Sequence, residues 1–156
     1  MEKKNSKALR FIGTVSRAIN SKSDKKYKQL NLQKGQYMFL TRICEHPEIN
    51  LSDLSRLIKV DKATTTKAVN KLLELGYITK KRNSYDRREF NLSPTNSGLK
   101  VYAMIISEEM VQLNTVFENF NNEEIKIVTE LLSRMSENIE NYWLDSENEL
   151  PNINYE

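Results

Sequence analysis

The spacing of apolar residues changes abruptly at Gly76, and this change limits the folds open to the chain. Up to Leu75, apolar residues recur at three- and four-residue intervals, which predicts helices. From Ile78 they alternate with polar residues in two short runs, 78–82 and 89–92, which predicts strands. Residues 83–88 between the runs are turn formers, so the runs form a hairpin. With only four glycines and three prolines, the rest of the chain is expected to be mainly helical.

Four helices are predicted before the hairpin. The first ends near residue 20 and is followed by a polar basic loop over 21–26. The second runs from about residue 32 to 45 and ends before Pro47, because a residue preceding proline disfavours helical geometry. Ser52 is the predicted N-cap of a short third helix. Asp61 is predicted to cap the fourth helix, and Gly76 to stop it.

Two long helices are predicted after the hairpin. The first extends from about residue 95 to 120. The second begins at Asn121, with Glu124 placed three residues later as in a capping box. The complete order of helix, short helix, tight turn, helix and hairpin is that of a winged helix-turn-helix. The expected fold class is therefore mainly α with a small β-hairpin wing.

The outward face of the fourth helix has the composition needed to enter a DNA major groove. Small residues allow close approach, hydroxyl and amide groups bond bases or phosphates, and lysines neutralise phosphates. No acidic residue appears on this face before Glu74, although an ordinary solvated face is usually rich in glutamate. The predicted DNA-binding residues here, with one from the third helix, are Ser52, Lys62, Ala63, Thr64, Thr66, Lys67, Asn70 and Lys71.

The predicted wing carries a cluster of cations at a tip narrow enough to enter a minor groove, where arginine is attracted. Asp86 is expected to brace the guanidinium of Arg88. The predicted DNA-binding residues of the wing are Lys81, Arg82, Arg87 and Arg88.

Basic residues are concentrated in the first 100 residues of the chain, and acidic residues in the remainder. Residues 1–50 contain 11 lysines and arginines against 4 acidic residues, and residues 51–100 contain 11 against 5. Residues 101–156 contain 2 against 12. A basic front with an acidic rear suits a body that binds a polyanion and directs its far end away from it. Lysines and glutamates that only solvate helix faces would explain the charge alone equally well.

The chain resembles the MarR (multiple antibiotic resistance regulator) family. The resemblance rests on Asp86-x-Arg88-x-x-x-Leu92-x-x-Thr95-x-x-Gly98, a wing-to-helix signature of that family. Residues 51–54, 61–64 and 71–78 support it, as does Gln36 in the second helix. Pro94 replaces the usual aliphatic residue and predicts an irregular end of the hairpin. Gln33 replaces the usual small capping residue and weakens one expected phosphate-facing helix start.

The resemblance implies a homodimer that binds double-stranded DNA. It divides the chain into an N-terminal dimerisation helix and loop (1–30), the winged helix-turn-helix lobe (31–98), C-terminal dimerisation helices (99–150) and a loose tail (151–156). The broad apolar faces of the flanking helices independently favour burial against a partner. The predicted interface residues are Phe11, Ile12, Val15, Val128, Leu132, Met135 and Ile139.

The resemblance also implies a repressor released by a small aromatic or lipophilic ligand. Three tyrosines are candidates to line its pocket, namely Tyr27, Tyr37 and Tyr102, although tyrosines in a helical core more often only pack. A redox response through Cys44 and a winged helix that binds an acidic protein remain alternatives.

Other classes of function find little support in the sequence. One histidine and one cysteine form no metal-ligand set of usual spacing, and no cofactor is expected. No phosphate loop or nucleophile paired with a base predicts an enzyme. No apolar run is long enough for a membrane span, no secretory signal is visible, and the lack of an internal disulfide fits the cytoplasm.

Overall fold

A computed structural model describes residues 7–148, with side chains described up to residue 144. Within these residues, six helices, one 3-10 turn and a three-stranded sheet follow one another. The predicted loose tail, 151–156, lies outside the described residues. The elements are α1 (Lys7–Lys26), the 3-10 turn (Tyr27–Leu30), α2 (Gln36–Glu45), β1 (Ile49–Asn50), α3 (Leu51–Ile58), α4 (Lys62–Glu74), β2 (Ile78–Arg82), β3 (Phe90–Pro94), α5 (Asn96–Val116) and α6 (Asn122–Asn148).

Helix α1 continues through the segment predicted to be a loop, so that prediction is wrong. Its last two turns are anchored by contacts with α5. The Ser23 hydroxyl, which is buried, accepts a hydrogen bond from the Gln112 amide at 3.1 Å, and Lys26 forms an ion pair with Glu108. These partners are more than 80 residues away in sequence, and their contacts favour the helical form over the loop that local composition predicts.

Helices α2 and α3 begin differently from the predictions. Helix α2 starts at Gln36, after Gly35 in the left-handed region (φ 73°), while Leu32 is buried in the preceding turn. The N-cap of α3 is Asn50 rather than Ser52, because the Asn50 side chain accepts a hydrogen bond from the Asp53 N–H at 2.8 Å. Asparagine is among the best N-cap residues.

The wing belongs to a three-stranded antiparallel sheet with strand order β1-β3-β2. The two-residue strand β1 was not predicted, because it is too short to show alternation. Pairing continues through Pro94, which lies opposite Ile78, and Thr95 N–H donates to the Tyr77 carbonyl at 3.0 Å just beyond it. The irregular hairpin end expected from Pro94 is therefore absent. Proline is tolerated here because β1 pairs with β3 only as far as Leu92, so Pro94 lies beyond the paired part of that side of the strand.

Three predicted helix ends are confirmed. Asp61 caps α4 and Gly76 adopts a left-handed conformation after it (φ 70°). Asn121 and Glu124 form the predicted capping box, with reciprocal hydrogen bonds of 2.8 and 2.9 Å. The first two ends fix the length of α4, which carries the outward face predicted to contact DNA.

The buried core joins α2, α3, α4, the sheet and the first half of α5. Leu40, Ile43, Leu54, Leu72 and Ile105 are fully buried within it. The core therefore holds α4 and the wing on one lobe, while α1, the far part of α5 and most of α6 extend beyond it.

None of the helices described within residues 7–148 has the length and apolar character needed to span a bilayer.

Candidate nucleic-acid interface

Helix α4 divides cleanly into a buried face and an exposed face. The buried residues are Thr65, Ala68, Val69 and Leu72. The residues predicted to contact DNA are exposed, apart from the half-buried Lys71, which is 3.6 Å from Glu74 in an ion pair. Packing of the buried face against α2 and α3 presents the other face to solvent as a rigid surface.

The start of α4 is fixed by Asp61. Its carboxylate accepts from the backbone N–H of Thr64 at 2.8 Å and from the Thr64 hydroxyl at 2.7 Å. These two hydrogen bonds, the backbone one first, lower the pKa of Asp61 below its ordinary value. The ionised carboxylate also complements the positive end of the helix dipole. The outward residues of the first turn therefore have a well-defined position.

The polar residues on α4 differ in what they can offer a ligand. The Thr66 hydroxyl donates to the Lys62 carbonyl at 2.7 Å, so its oxygen is available as an acceptor. The Asn70 amide has no hydrogen-bond partner within residues 7–148, which leaves both its donor and its acceptor available. An unoccupied amide is suited to bidentate contact with adenine. Asn70 is therefore the side chain on this helix with the most hydrogen-bonding capacity left for a ligand.

The tip of the wing is organised by two side chains that bond the backbone. The Asn83 side-chain oxygen accepts from the N–H groups of Tyr85 and Asp86 at 2.8 and 3.1 Å. Asp86 accepts from the backbone N–H of Arg88 at 2.9 Å. The predicted brace from Asp86 is therefore made to the Arg88 backbone, not to the guanidinium. Tyr85, at the tip, is 99% exposed.

Phe90 supports two cations near the tip of the wing, where it pairs with Arg82 in the last step of the hairpin ladder. The Lys80 ammonium lies 4.5 Å from the ring centroid and the Arg82 guanidinium 5.5 Å from it. Such cation–π contacts limit the freedom of long side chains. The four predicted wing cations are all exposed. The role of Phe90 could have been suspected from an aromatic residue placed between basic ones in the hairpin.

A crevice of about 230 Å³ lies between the start of α3, the middle of α4 and the wing. It brings together four of the predicted DNA-binding residues, Ser52, Thr66, Asn70 and Arg88. The other predicted DNA-binding residues lie outside it. Seven residues of its lining were not among the predicted DNA contacts, namely Asn50, Leu51, Val69, Lys80, Glu89, Phe90 and Leu92.

The three tyrosines proposed for a ligand pocket do not share one environment. Tyr27 and Tyr37 are buried with ring centroids 5.1 Å apart, and the Tyr37 hydroxyl donates to the Asn20 amide oxygen at 2.8 Å. Burial raises the pKa of Tyr27 to about 12. Tyr102 is half-buried, with its hydroxyl 3.5 Å from Glu45. The Tyr27 hydroxyl is buried without a partner among the described residues.

Polar residues at the junction of α1 and α5 were missed by sequence reasoning. Glu108 and Gln112 follow Val101 and Ile105 on the buried side of α5. Their place in this three- and four-residue spacing could have marked them as inward-facing. Together with Ser23 and Lys26 they tie the end of α1 to α5.

Cys44, on α2, is half-buried. Its burial raises the pKa of the thiol from 9.0 to about 11, with a smaller contribution from Glu45. A thiol of that kind is protonated and unreactive at neutral pH.

Residues 7–148 contain no group of three acidic, histidine or cysteine side chains placed to hold a metal ion.

Helices α1, α5 and α6 enclose an open apolar concavity of about 560 Å³. It brings together five of the seven predicted interface residues, Phe11, Ile12, Val15, Val128 and Leu132, with Val116, Phe117 and Phe120. Many of these side chains are exposed, including Phe11 at 66%. The remaining two predicted residues, Met135 and Ile139, are exposed further along α6.

Comparison with known proteins gives a consistent assignment. The sequence model of the MarR family matches residues 32–90. The HTH-type transcriptional regulator YybA of Bacillus subtilis, described as uncharacterized, is 37% identical over 86% of this chain and 90% of its own length. The chain belongs to the MarR family.

Two solved structures of MarR family members extend the comparison to the whole fold. A MarR protein from Peptoclostridium difficile is 53% identical with a TM-score of 0.85, covering 93% of this chain and 95% of its own. A MarR family transcriptional regulator from Listeria monocytogenes, solved in complex with a 26mer DNA, is 35% identical with a TM-score of 0.87, covering 94% and 97%. These relatives are transcription regulators, not enzymes.

Proposed function

We propose that this MarR family member is a sequence-specific DNA-binding repressor. The observation that carries the proposal is the crevice at which Ser52, Thr66, Asn70 and Arg88 converge from α3, α4 and the wing. Side chains that read bases on α4 thus stand beside a cation of the wing. This arrangement matches a recognition helix in a major groove with an adjacent hairpin over the minor groove. The DNA complex of the Listeria relative supports the choice of ligand.

The division of labour follows from the chemistry of each group. Asn70 and Thr66 offer hydrogen bonds to base edges, while Lys62, Lys67 and Lys81 offer charge to phosphates. Arg88 would occupy the minor groove, because its narrow A/T-rich stretches attract arginine. We therefore expect Asn70→Ala to change base preference and Lys81→Ala to lower affinity evenly for all sequences.

We further propose that the repressor is a homodimer. The concavity between α1, α5 and α6 exposes an apolar surface larger than scattered surface residues would explain, and a second copy would bury it. Two-fold symmetry would repeat the α4 surface about 34 Å away, one DNA turn along the duplex. The operator should accordingly be pseudo-palindromic.

Selection of DNA fragments from a random pool tests sequence-specific binding directly. Recovery of a two-fold-symmetric site would support dimeric reading of an operator, whereas recovery of no shared sequence would reject specific binding. A salt titration on the selected site should show a linear fall of log affinity with log salt, with a slope of about −0.9 for each phosphate neutralised. A weak salt dependence would instead favour the alternative of a protein-binding winged helix.

We also propose that a small ligand releases the repressor from DNA. One observation supports this in addition to the family resemblance. The Tyr27 hydroxyl is buried without a hydrogen-bond partner among the described residues, and an unsatisfied buried hydroxyl favours a ligand that can accept a hydrogen bond from it. Benzoate can serve as a probe of small aromatic acids. Benzoate should raise the melting temperature of the wild-type protein more than that of Tyr27→Phe, and an equal shift in both would remove Tyr27 from the ligand site.

A further inference from the structure

The end of α6 returns to the DNA-reading lobe and contacts α3. Glu140 accepts a hydrogen bond from the Arg56 side chain at 2.6 Å and forms an ion pair with Lys59. The contact from Arg56, and next that from Lys59, lowers the pKa of the Glu140 carboxyl below its ordinary value. Arg56 and Lys59 lie at the end of α3, so one carboxylate joins the dimerisation region to the helix-turn-helix.

The residue that Glu140 holds occupies the turn between α3 and α4. Lys59 is the C-cap of α3 and adopts a left-handed conformation (φ 61°, ψ 47°), which is uncommon for a residue other than glycine. Its ammonium also donates to the Arg56 carbonyl at 2.7 Å. Asp61, the cap of α4, is two residues further on. Glu140 therefore contacts the segment that fixes the direction in which α4 leaves α3.

Trp143 adds a second contact from the same face of α6. It follows Glu140 by three residues, so the two side chains are neighbours on the helix. The Lys59 ammonium lies 5.8 Å from the centroid of the Trp143 ring. Trp143 and Leu144 also line an open cleft together with Ser52, Arg56 and Lys62, two of which are predicted DNA contacts. The end of α6 thus reaches the edge of the candidate DNA surface.

We propose that Glu140 is a positioning residue for operator recognition, which holds the α3–α4 turn in a fixed orientation relative to α6. Exposed ion pairs are individually weak, so its effect lies in orientation more than in overall stability. Its loss would also release two cations close to the DNA surface, which would favour sequence-independent attraction to phosphates. The ratio of operator affinity to random-duplex affinity should therefore fall. This inference rests on the proposed function.

The contact itself can be measured without DNA, because Trp143 is the only tryptophan in the chain. In Glu140→Gln, Trp143 emission should shift to the red and become more accessible to acrylamide than in the wild-type protein. Glu130→Gln, with the same loss of charge on an exposed part of α6, is the matched control and should behave as wild type. Rising salt should increase quenching in wild type through screening, but not in Glu140→Gln. Equal quenching and salt response in all three proteins would overturn the contact.

The effect on recognition is measured with the operator selected from the random pool and a scrambled duplex of equal length. We expect Glu140→Gln to lower the affinity ratio about three- to tenfold, Glu130→Gln to leave it unchanged, and Glu140→Asp to restore it in part. An unchanged ratio in Glu140→Gln, with its circular dichroism spectrum as in wild type, would overturn the positioning role. If wild type itself binds no DNA in a salt-dependent way, the proposed function fails, while the quenching result still decides the contact.

Discussion

At the scale of single residues, Gly98 is a position at which the structure leaves no room for a side chain. Gly98 is buried in the first turn of α5, and an added Cβ would lie 1.9 Å from the Tyr77 carbonyl oxygen. That oxygen accepts the hydrogen bond from Thr95 N–H that follows β3. The glycine of the family signature is thus explained by a close approach of two backbone segments at the base of the wing.

Gly98→Ala should accordingly destabilise the protein by about 3 kcal/mol, because the atom that the new methyl group meets is backbone and cannot move aside easily. Gly13→Ala is the matched control. Its new Cβ would meet only the flexible end of Arg17, at 3.0 Å, and alanine favours a helix interior by up to about 1 kcal/mol. Urea denaturation of both variants measures the difference, and a similar free energy of unfolding for the two would contradict it.

Cys44 provides a second prediction at this scale, through pH. With its pKa raised to about 11, the thiol should react with iodoacetamide roughly 100-fold more slowly at pH 8 than a thiol of ordinary pKa, since only the thiolate is nucleophilic. The rate should rise about tenfold per pH unit up to pH 10. Because Cys44 is the only cysteine, labelling reports on it alone, and Cys44→Ser gives the background. A rate that levels off near pH 9 would instead favour the alternative of a redox response through Cys44.

At the scale of elements, the wing is a short hairpin whose conformation is set by side chains bonded to its own backbone. Asn83 and Asp86 organise the tip, and Phe90 supports Lys80 and Arg82 on the strands just below it. The arginines of the tip are thereby held on a rigid frame. A rigid cationic tip is suited to a groove of defined width.

Arg88→Ala should weaken operator binding about tenfold where the flanking sequence is A/T-rich, and less where it is G/C-rich, because the narrow minor groove concentrates negative potential. Fluorescence anisotropy with duplexes that differ only in their flanks provides the measurement. Lys100→Ala, which removes an exposed cation from α5, serves as the control. A loss of equal size on both kinds of flank would exclude the minor-groove role of Arg88.

Local sequence patterns predict some of these elements closely and miss others. Helix α4 was predicted closely, because its cap Asp61 and its stop Gly76 act within a few residues of its ends. The last turns of α1 were missed, because they depend on Gln112 and Glu108, which are remote in sequence. Likewise, the convergence of Ser52 with Arg88 depends on tertiary packing that no spacing of residues encodes.

At the scale of the whole molecule, a compact lobe carries the candidate DNA surface and three helices carry an open apolar face. The lobe has its own buried core, whereas the concavity between α1, α5 and α6 remains open in a single chain. This contrast supports the proposed homodimer, in which a second copy would cover the apolar face formed by α1, α5 and α6.

Ile12→Asp should convert the protein to a monomer that binds the operator poorly. A dimer would bury the new charge without a partner and, by symmetry, would do so twice. Thr14→Asp, which adds the same charge at an exposed position two residues away, should stay dimeric. Sedimentation equilibrium distinguishes the 18.3 kDa monomer from a species of twice that mass. A variant Ile12→Asp that remains dimeric would remove this residue from the interface.

The short strand β1 has a consequence for the design of chimeras. It pairs with β3, the strand that leads out of the wing, and its second residue, Asn50, caps α3. A wing transplanted from a relative as residues 78–94 alone would therefore lack its own β1, the edge strand that pairs with β3. Grafts that carry residues 49–50 together with the hairpin should keep their native register, and the junctions of any exchanged cassette are better placed before residue 49.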